Sequence, residues 1–354
     1  MIPATTTWEP VPALSIQRLP PSPVEWDVET LLQSDDGPAC WFGDSGSYKS
    51  FLALHVAGCM STGEAVFGKF LAKKRTRVTY VNLDAGKNSF ERRVCKLPRA
   101  NANLYIVSAD AWSPEEFECV LADNHGSFII LDCWTDVYDQ PSDADMAHHM
   151  RQSIKYFRDL FSQYGANGLV IDHSKRAQSG SSLRGADLVY GSAQKKGTWR
   201  QMALIEKVPL AQFIPGHARV KFTCVKMSEG EEFPPFFVDL KFDKGAYTCE
   251  YGGPVTRQDD EATKTEKLRE GIVHYLRTAY PNTEKATEIA KGLGVTKNSR
   301  AFSDGLNAAI ASGLVESVGK GRSTKYTYMT ENGSTINGLN LELPDTVTTE
   351  GLTT

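Results

Sequence analysis

The sequence ACWFGDSGSYKSFLALHVAGCM, residues 39–60, carries the strongest structural signal in the chain. Its first four residues are apolar and predict a buried strand, and the apolar run from Lys49 to Met60 predicts a helix. A turn with two glycines joins them and ends in Lys49-Ser50. A strand, a glycine-bearing turn, Lys-Ser and a helix, in this order, are typical of a phosphate-binding loop. The sequence here therefore predicts a nucleotide site at the end of a strand.

Each part of this loop has a chemical role in phosphate binding. We expect Gly43 and Gly46 to adopt backbone dihedrals that side chains would block, so that successive N–H groups face the phosphates. The new helix adds the positive end of its dipole. We expect the Lys49 ammonium on the β- and γ-phosphates of ATP and the Ser50 hydroxyl on Mg²⁺. The predicted nucleotide-binding residues are Gly43, Asp44, Ser45, Gly46, Ser47, Tyr48, Lys49, Ser50 and Phe51.

One position departs from the phosphate-loop pattern G-x-x-x-x-G-K-[ST]. Tyr48 stands where the pattern has glycine. A glycine turn that meets Lys-Ser by chance is the alternative interpretation, and polar strand ends further along the chain favour the phosphate loop.

Apolar, β-rich runs alternate with helical patterns from residue 38 to about 245. Strands are predicted at 38–42, 78–83, 104–107, 128–131 and 169–171. Helices are predicted between them at 49–60, about 89–97, 114–123 and 145–164. This alternation predicts an α/β fold whose mainly parallel sheet has helices on both faces. Runs at 200–206, 218–226 and 235–242 have no helices between them and predict an antiparallel extension, and residues 26–37 predict a short helix before the first strand.

Three predicted strands end in polar residues, at the edge where open α/β sheets bind ligands. Asp132 follows four apolar residues, which is the Walker B arrangement, and we expect it on the Mg²⁺ shell through water or Ser50. Asp84 is a candidate to orient the attacking water. His173 is a candidate to sense the γ-phosphate. For all three residues a purely structural role at a strand end is the alternative.

A polar, Gly/Ser-rich and basic segment follows His173. It contains Lys175, Arg176 and Arg184. Such a loop on a rigid scaffold often carries function, so we predict a mobile DNA-contacting loop over 174–186. The pair His148-His149 lacks acidic or cysteine partners at ligand spacing and is predicted to lie on the surface rather than on a metal.

The composition is that of an ordinary globular protein. The chain has 354 residues, of which 41% are hydrophobic and 23% charged, and this length predicts about two domains. Seven scattered cysteines without a C-x-x-C pair indicate a reducing cytoplasm rather than a disulfide framework or a zinc motif. The first 26 residues carry prolines instead of an apolar signal core, and no apolar run approaches ~18 residues, so no membrane span is predicted.

Five motifs together resemble the RecA-type ATPases of the RepA-like replicative helicase group, which are common in plasmids and phages. The motifs are GDSGSYKSFLAL, VTYVNLD, FIILD, IDHSK and LRGADL, within residues 26–245. In that group an aromatic residue before Lys-Ser is familiar, so Tyr48 fits. The resemblance implies a RecA-like P-loop NTPase core, with Lys49, Asp84, Asp132 and His173 as catalytic residues, ATP and Mg²⁺ as ligands, and a homo-oligomeric ring, expected to be a hexamer, on single-stranded DNA.

The resemblance also shows two departures. The catalytic carboxylate of the group is usually Glu, and here it is Asp84. The group often supplies K-x-R across a subunit interface as a finger, and this chain keeps Lys226 but lacks the Arg. Lys226 alone, Arg200 or Arg219 are the candidates for the finger.

Residues 264–329 predict a second module of three helices and a hairpin, which resembles a winged helix-turn-helix. Thr296 is predicted to cap the third helix. This segment has 11 Lys and Arg against 6 Asp and Glu, a net charge of +5, whereas the whole chain has −4. A basic module on an acidic body is the footprint of phosphate-backbone contact with duplex DNA, and a protein-docking winged helix is the alternative. Its candidate DNA-binding residues are Lys297 and Arg300 on the third helix and Lys320 and Arg322 at the wing tip.

The predicted organisation is an arm at 1–25, an ATPase domain at 26–250, a linker at 251–263, the winged-helix domain at 264–329 and a disordered tail at 330–354. This organisation favours a cytoplasmic ATP-dependent motor on DNA, such as a replicative helicase or helicase-like ATPase of a mobile element. A RecA-like recombination or loading ATPase and an ATP-gated transcriptional regulator remain the alternatives.

Overall fold

The structure, a computed structural model, describes residues 23–34, 37–75, 77–98, 100–134, 137, 146–174, 198–210, 214–319, 321 and 324–329. These residues form two compact units that divide between Thr256 and Arg257. Several predictions lie outside the described residues: most of the arm, the tail, the basic loop with Lys175, Arg176 and Arg184, and the wing-tip residues Lys320 and Arg322.

The first unit is built on a nine-stranded sheet. Its strands are β3 (Ala39–Gly43), β4 (Val78–Asn82), β5 (Leu104–Ser108), β6 (Phe128–Asp132), β7 (Asn167–His173), β8 (Gln201–Val208), β9 (His217–Met227), β10 (Phe236–Phe242) and β11 (Tyr247–Pro254). Their order is β11-β10-β9-β8-β3-β7-β6-β4-β5. The pairs from β8 to β5 are parallel, and β9, β10 and β11 add antiparallel pairs at one edge. The predicted α/β class, the mainly parallel sheet and its antiparallel extension are confirmed.

Four helices cover the two faces of this sheet. They are α1 (Lys49–Thr62), α2 (Lys87–Val94), α3 (Pro114–Asp123) and α4 (Met146–Gln163). Because side chains alternate along a strand, Trp41 of β3 enters the core that contains α1, and Cys40 and Phe42 enter the core that contains α3 and α4. Among the described helices of the chain, none combines the length and the apolar character needed to cross a bilayer.

The predicted helix at 26–37 is wrong. The chain forms a hairpin there, with β1 (Trp26–Val28) and β2 (Leu32–Gln33) joined by a turn in which Thr30 has φ 61°. Two polar residues of this segment, Asp27 and Gln33, are buried. Asn167 donates hydrogen bonds to Asp27 Oδ2 at 2.5 Å and to Gln33 O at 2.7 Å, and Arg75 forms an ion pair with Asp27. These distant partners decide the local conformation.

The structure also differs from the predicted linker at 251–263. Strand β11, which the sequence analysis missed, occupies Tyr247–Pro254, and the next helix begins at Arg257. Gly252 and Gly253 are therefore part of a strand rather than its end. Gly252 is the extra residue of a bulge at which the register shifts between Phe237 and Val238. A Cβ at Gly252 would lie 2.8 Å from Asp239 Oδ2, so glycine fits this close approach.

The second unit contains three helices and a small antiparallel sheet. Its elements are α5 (Arg257–Ala279), β12 (Glu284–Lys285), α6 (Ala286–Gly292), α7 (Arg300–Ala311), β13 (Val315–Val318) and β14 (Lys325–Tyr328), with sheet order β12-β14-β13. Buried Ile272, Leu276, Ile289 and Phe302 lie in its separate core. The predicted cap Thr296 is wrong: Ser299 caps α7 by accepting a hydrogen bond from Phe302 N at 3.2 Å, because residues 296–299 form a turn first.

We predict that Asp27→Asn lowers the free energy of unfolding of the first unit by about 3 kcal/mol. The side chain is fully buried, and both carboxylate oxygens accept hydrogen bonds from donors, so an amide places an N–H group against one of them. Urea unfolding followed by tryptophan fluorescence measures this change. All six tryptophans precede residue 257, so the signal reports only the first unit.

Glu25→Gln is the matched control. Glu25 also pairs with a cation, Lys73, at 3.6 Å, but both side chains are more than half exposed. An exposed pair contributes less than about 1 kcal/mol. Equal effects of the two substitutions would show that the buried pair does not hold the hairpin in place.

Candidate nucleotide site

The phosphate loop lies at the carboxyl end of β3, the central strand of the nine-stranded sheet. Its two glycines are needed for different reasons. Gly46 has φ +79°, and no atom lies near the position of a Cβ, so its role is conformational. A Cβ at Gly43 would lie 2.1 Å from Ile205 O, so this glycine allows the close approach of β8. The expectation of a special dihedral angle holds for Gly46, and at Gly43 the constraint is steric.

Tyr48 occupies the glycine position of the pattern with a left-handed backbone. Its φ of 64° is uncommon for a residue with a side chain. The ring packs at 5.7 Å from Phe242 and 6.3 Å from Phe51, which offsets the cost of the conformation. Tyr48 thus connects the loop to the antiparallel part of the sheet.

Lys49 is almost completely buried at the start of α1. Its ammonium donates hydrogen bonds to Gly43 O at 2.8 Å, Asp44 O at 2.9 Å and Ser47 Oγ at 3.4 Å. Burial lowers the pKa of Lys49, and the negative charge of Asp132 opposes this effect most strongly. A buried cation on neutral oxygens at the mouth of a loop suits an anionic ligand such as a phosphate.

Asp132 ends β6 and is 2% exposed. Tyr80, on the neighbouring strand β4, donates a hydrogen bond from its hydroxyl to Asp132 Oδ2 at 2.7 Å. Burial raises the pKa of Asp132, and the hydrogen bonds from Tyr80 and Ser50 oppose that rise. The Ser50 hydroxyl and the Asp132 carboxylate are therefore close enough to interact. Two oxygen ligands of this kind fit Mg²⁺, and their assignment to the ion stays a prediction.

Asp84 and His173 meet beside this pair. Asp84 is half-exposed, and its Oδ1 lies 3.8 Å from His173 Nε2. The polar contact with His173 lowers the pKa of Asp84, and partial burial opposes this effect. The turn that carries Asp84 is fixed by Asn82, which exchanges two hydrogen bonds with the backbone of Ala85. The backbone N–H of Asp84 also donates to Asp132 O at 3.2 Å, which links the two acidic residues.

The structure thus brings Lys49, Ser50, Asp84, Asp132 and His173 together at one edge of the sheet. Sequence analysis missed four further residues there: Tyr80, Cys133, Arg93 and Lys207. The Arg93 charge lowers the pKa of Asp84, and the Lys207 ammonium lies 5.9 Å from the Tyr48 ring. Only the tertiary structure could have identified them, because each comes from a different element, and Arg93 comes from helix α2.

The three candidates for the finger are placed differently by the structure. Arg219 binds Asp239 through two hydrogen bonds of 2.6 and 2.9 Å within the sheet. Lys226 of β9 lies opposite Met202 of β8, and Met202 lies beside Cys40, near the start of β3. Arg200 directly precedes β8. Lys226 and Arg200 therefore lie at the sheet end opposite the phosphate loop of their own chain.

The candidate DNA-binding residues of the second unit that the structure describes are Lys297 and Arg300. Both are exposed, but Lys297, which the sequence analysis placed on the third helix, lies in the turn before α7, and Arg300 is the first residue of that helix. Arg300 makes only a surface contact with Asp304, at 3.6 Å. Helix α5 begins at Arg257, so the second unit includes residues 257–263, which the predicted module did not. These residues add one basic and three acidic side chains, and the net charge is therefore +3 for 257–329 against +5 for 264–329.

Comparison with known proteins gives one family match. Residues 4–179, just under half of the chain, match the family model described as AAA domain. No curated protein matches the sequence. The match and the phosphate-loop geometry agree in placing an ATPase domain with a nucleotide site in the first unit.

Two solved structures align with the chain at low similarity. One, described as an ATPase domain, aligns at 11% identity with a TM-score of 0.45, over 59% of this chain and 82% of that chain. The other, a DnaB-like replicative helicase described with its interactions with primase, aligns at 11% identity with a TM-score of 0.45, over 61% of this chain and 59% of that chain. The chain thus spans less than two thirds of that helicase.

We predict that Tyr80→Phe weakens Mg²⁺-dependent ATP binding about tenfold, the order expected for one hydrogen bond to a charged group. Without the hydroxyl the pKa of Asp132, already raised by burial, rises further. The carboxylate is then protonated at higher pH, so the acidic limit of Mg²⁺-dependent binding moves to higher pH. Calorimetric titration of ATP with and without Mg²⁺ at several pH values measures both effects.

Tyr247→Phe is the control for the loss of a buried tyrosine hydroxyl. Tyr247 is also buried, and its hydroxyl donates to Phe51 O at 3.2 Å rather than to a carboxylate. An equal loss of Mg²⁺ dependence in both variants would show that Tyr80 does not act through Asp132.

Proposed function

We propose that this protein hydrolyses ATP to drive movement on DNA, as a replicative helicase or helicase-like ATPase of a mobile element. The observation that carries the proposal is the convergence of Lys49, Ser50, Asp132, Asp84 and His173 at the carboxyl edge of the parallel strands. These residue types supply a phosphate-binding cation, two oxygen ligands, a carboxylate and an imidazole, which is the set that phosphoryl transfer to water requires.

Each side chain has a distinct role in the proposed reaction. Lys49 leaves its loop carbonyls to neutralise the β- and γ-phosphates. Ser50 and Asp132 would hold Mg²⁺, which when bound would neutralise charge on the phosphate oxygens. Asp84 accepts a hydrogen bond from the attacking water and orients it toward the γ-phosphate.

His173 links hydrolysis to the segment that follows it. Its Nε2 lies 3.8 Å from Asp84 Oδ1. Because Asp84 is proposed to orient water at the γ-phosphate, loss of that phosphate would change the charges around the imidazole. The chain continues from His173 into the Gly/Ser-rich segment with Lys175, Arg176 and Arg184. We propose that this segment contacts single-stranded DNA and responds to the state of the nucleotide.

The proposed RecA-like ring places ATP between subunits. The position of Lys226 and Arg200 supports this arrangement, because their end of the sheet is remote from the nucleotide site of their own chain. The pairing of Arg219 with Asp239 makes it the weakest candidate. We propose Lys226 as the finger and a hexamer as the assembly.

We propose that the second unit is a winged helix that binds duplex DNA. Three helices precede a hairpin, and β12 completes a three-stranded sheet with it. In helix-turn-helix proteins the beginning of the recognition helix faces the DNA, and here Arg300 begins α7 and Lys297 lies in the turn that precedes it. Lys320 and Arg322, between β13 and β14, are the proposed wing contacts.

We predict that Asp84→Asn retains ATP binding and lowers hydrolysis about 100-fold or more, because an amide accepts no proton from water. The wild-type protein should open a forked duplex with ATP·Mg²⁺, and the variant should not. Lys49→Ala is the contrasting control and should lose ATP binding itself. Single-turnover hydrolysis, calorimetry and strand displacement measure the three properties.

The same assays distinguish the alternatives. Hydrolysis stimulated by single-stranded DNA without strand displacement would favour a loading or recombination ATPase. ATP-dependent binding of one duplex sequence without displacement would favour a transcriptional regulator. Wild-type turnover in Asp84→Asn would show that the residue only shapes the end of β4.

We predict that the double substitution Lys297→Ala, Arg300→Ala reduces the salt dependence of duplex binding. Each lost phosphate contact lowers the slope of log K against log[salt] by about 0.9, so two contacts lower it by about 1.8. Fluorescence anisotropy of a labelled duplex over a salt series measures the slope.

The matched control is the double substitution Arg257→Ala, Lys264→Ala, which removes the same charge from the exposed start of α5. Arg257 has an i,i+4 acidic partner, Glu261, as Arg300 has Asp304. This control should leave the slope nearly unchanged. Equal slopes for both double variants would favour the protein-docking interpretation of the second unit.

A further inference from the structure

We propose that Asp84, Cys133 and His173 form a binding site for a thiophilic divalent ion such as Zn²⁺, and that an ion bound there stops hydrolysis. The binding site is inferred from geometry and ligand chemistry. Its inhibitory effect rests on the proposed ATPase function.

The topology of the sheet creates the site. Strands β7, β6 and β4 are neighbours, and their carboxyl ends lead directly into His173, Cys133 and Asp84. One ligand atom from each residue lies within 4.8 Å of the other two, and His173 Nε2 lies 3.8 Å from Asp84 Oδ1. In a tetrahedral zinc site, bonds of about 2.0–2.3 Å separate the ligand atoms by roughly 3.3–3.8 Å. Side-chain movements on the order of 1 Å therefore complete the geometry.

The ligand set selects the kind of metal. A thiolate, an imidazole nitrogen and a carboxylate oxygen are all common zinc ligands, whereas Mg²⁺ and Ca²⁺ take oxygen ligands. Three protein ligands leave a fourth position for water or another oxygen ligand. The site is thus chemically distinct from the adjacent pair Ser50 and Asp132, which offers oxygen atoms only.

Two of the three ligands are partly exposed to solvent, and the third is buried. The side chains of His173 and Asp84 are 31% and 40% exposed, and Cys133 is 1% exposed beneath them. The seven described cysteines form no disulfide, so Cys133 offers a thiol sulfur as a ligand.

The charges around the site are mixed. Asp132 and Asp172 favour a cation, and Lys49 and Arg93 oppose it. The Lys49 ammonium is held on Gly43 O and Asp44 O, away from ligation. Because a bound ion occupies the Asp84 carboxylate and the His173 ring, it removes the groups proposed to orient water and to sense the γ-phosphate. The phosphate loop itself remains able to bind ATP.

The binding test uses Co²⁺ as the probe with the reduced, nucleotide-free, full-length protein. We expect one Co²⁺ per chain, with intense visible bands of tetrahedral coordination and a near-ultraviolet thiolate-to-cobalt band, both abolished by added Zn²⁺. Cys133→Ser should lose the near-ultraviolet band. Cys95→Ser and Cys119→Ser, which change exposed thiols, should retain it. Asp84→Asn and His173→Gln should each weaken binding by more than about tenfold.

A thiolate band that survives Cys133→Ser, or one that disappears with Cys95 or Cys119, overturns the site. If Cys133→Ser does not fold, as judged by circular dichroism, the variant His173→Gln tests the site instead, because His173 is partly exposed. An unchanged tetrahedral spectrum in His173→Gln overturns the proposed site.

The inhibition test measures hydrolysis with added Zn²⁺. Zn²⁺ should suppress wild-type hydrolysis while calorimetry still detects ATP binding, and inhibition of Cys133→Ser should need at least tenfold more Zn²⁺. Equal sensitivity overturns the inhibitory role. A wild-type protein that binds Co²⁺ but shows no hydrolysis without Zn²⁺ contradicts the proposed ATPase function and leaves the metal site standing.

Discussion

The parallel register of β3, β7, β6 and β4 is the constraint on which the candidate site depends. It aligns Gly43 with His173 and Asp132 with Asn82, so the carboxyl ends of four strands meet at one edge. Because parallel strands are connected by crossover helices, residues separated by dozens of positions along the chain become neighbours there. A shift of one residue in any of these pairs would turn its polar terminus toward the opposite face of the sheet.

Opposite charges in low-polarity surroundings give this edge its chemistry. Lys49 and Asp132 are both nearly buried, and burial disfavours the charged form of each, so each depends on nearby polar groups and on the charge of the other. Tyr80 and Ser50 stabilise the carboxylate, and the loop carbonyls hold the ammonium. Both groups thus have polar partners at the mouth of the loop, and this arrangement supports the proposed ATP site.

Sequence patterns predicted the elements whose signals are local. The bounds of α3 agree with the prediction at both ends, because Pro114 and the cap Ser113 mark its start by direct contacts. The hairpin at 26–33 was missed for the opposite reason. Asp27 is held by Asn167, which lies 140 positions away, and no local pattern encodes such a partner. Strand β11 follows β10 after four residues, and it was missed because its glycines, Gly252 and Gly253, were interpreted as part of a linker.

The sequence by itself determined the phosphate loop, the two acidic strand ends and the histidine, because each is a short motif with its own chemistry. It also excluded local zinc motifs, since the cysteines lack the required spacing. Only the tertiary structure placed Tyr80 on Asp132 and brought Cys133 beside Asp84 and His173. The reason is physical: a ligand set drawn from three strands is created by hydrogen-bonded strand order, and that order is a property of the folded sheet rather than of any segment of the chain.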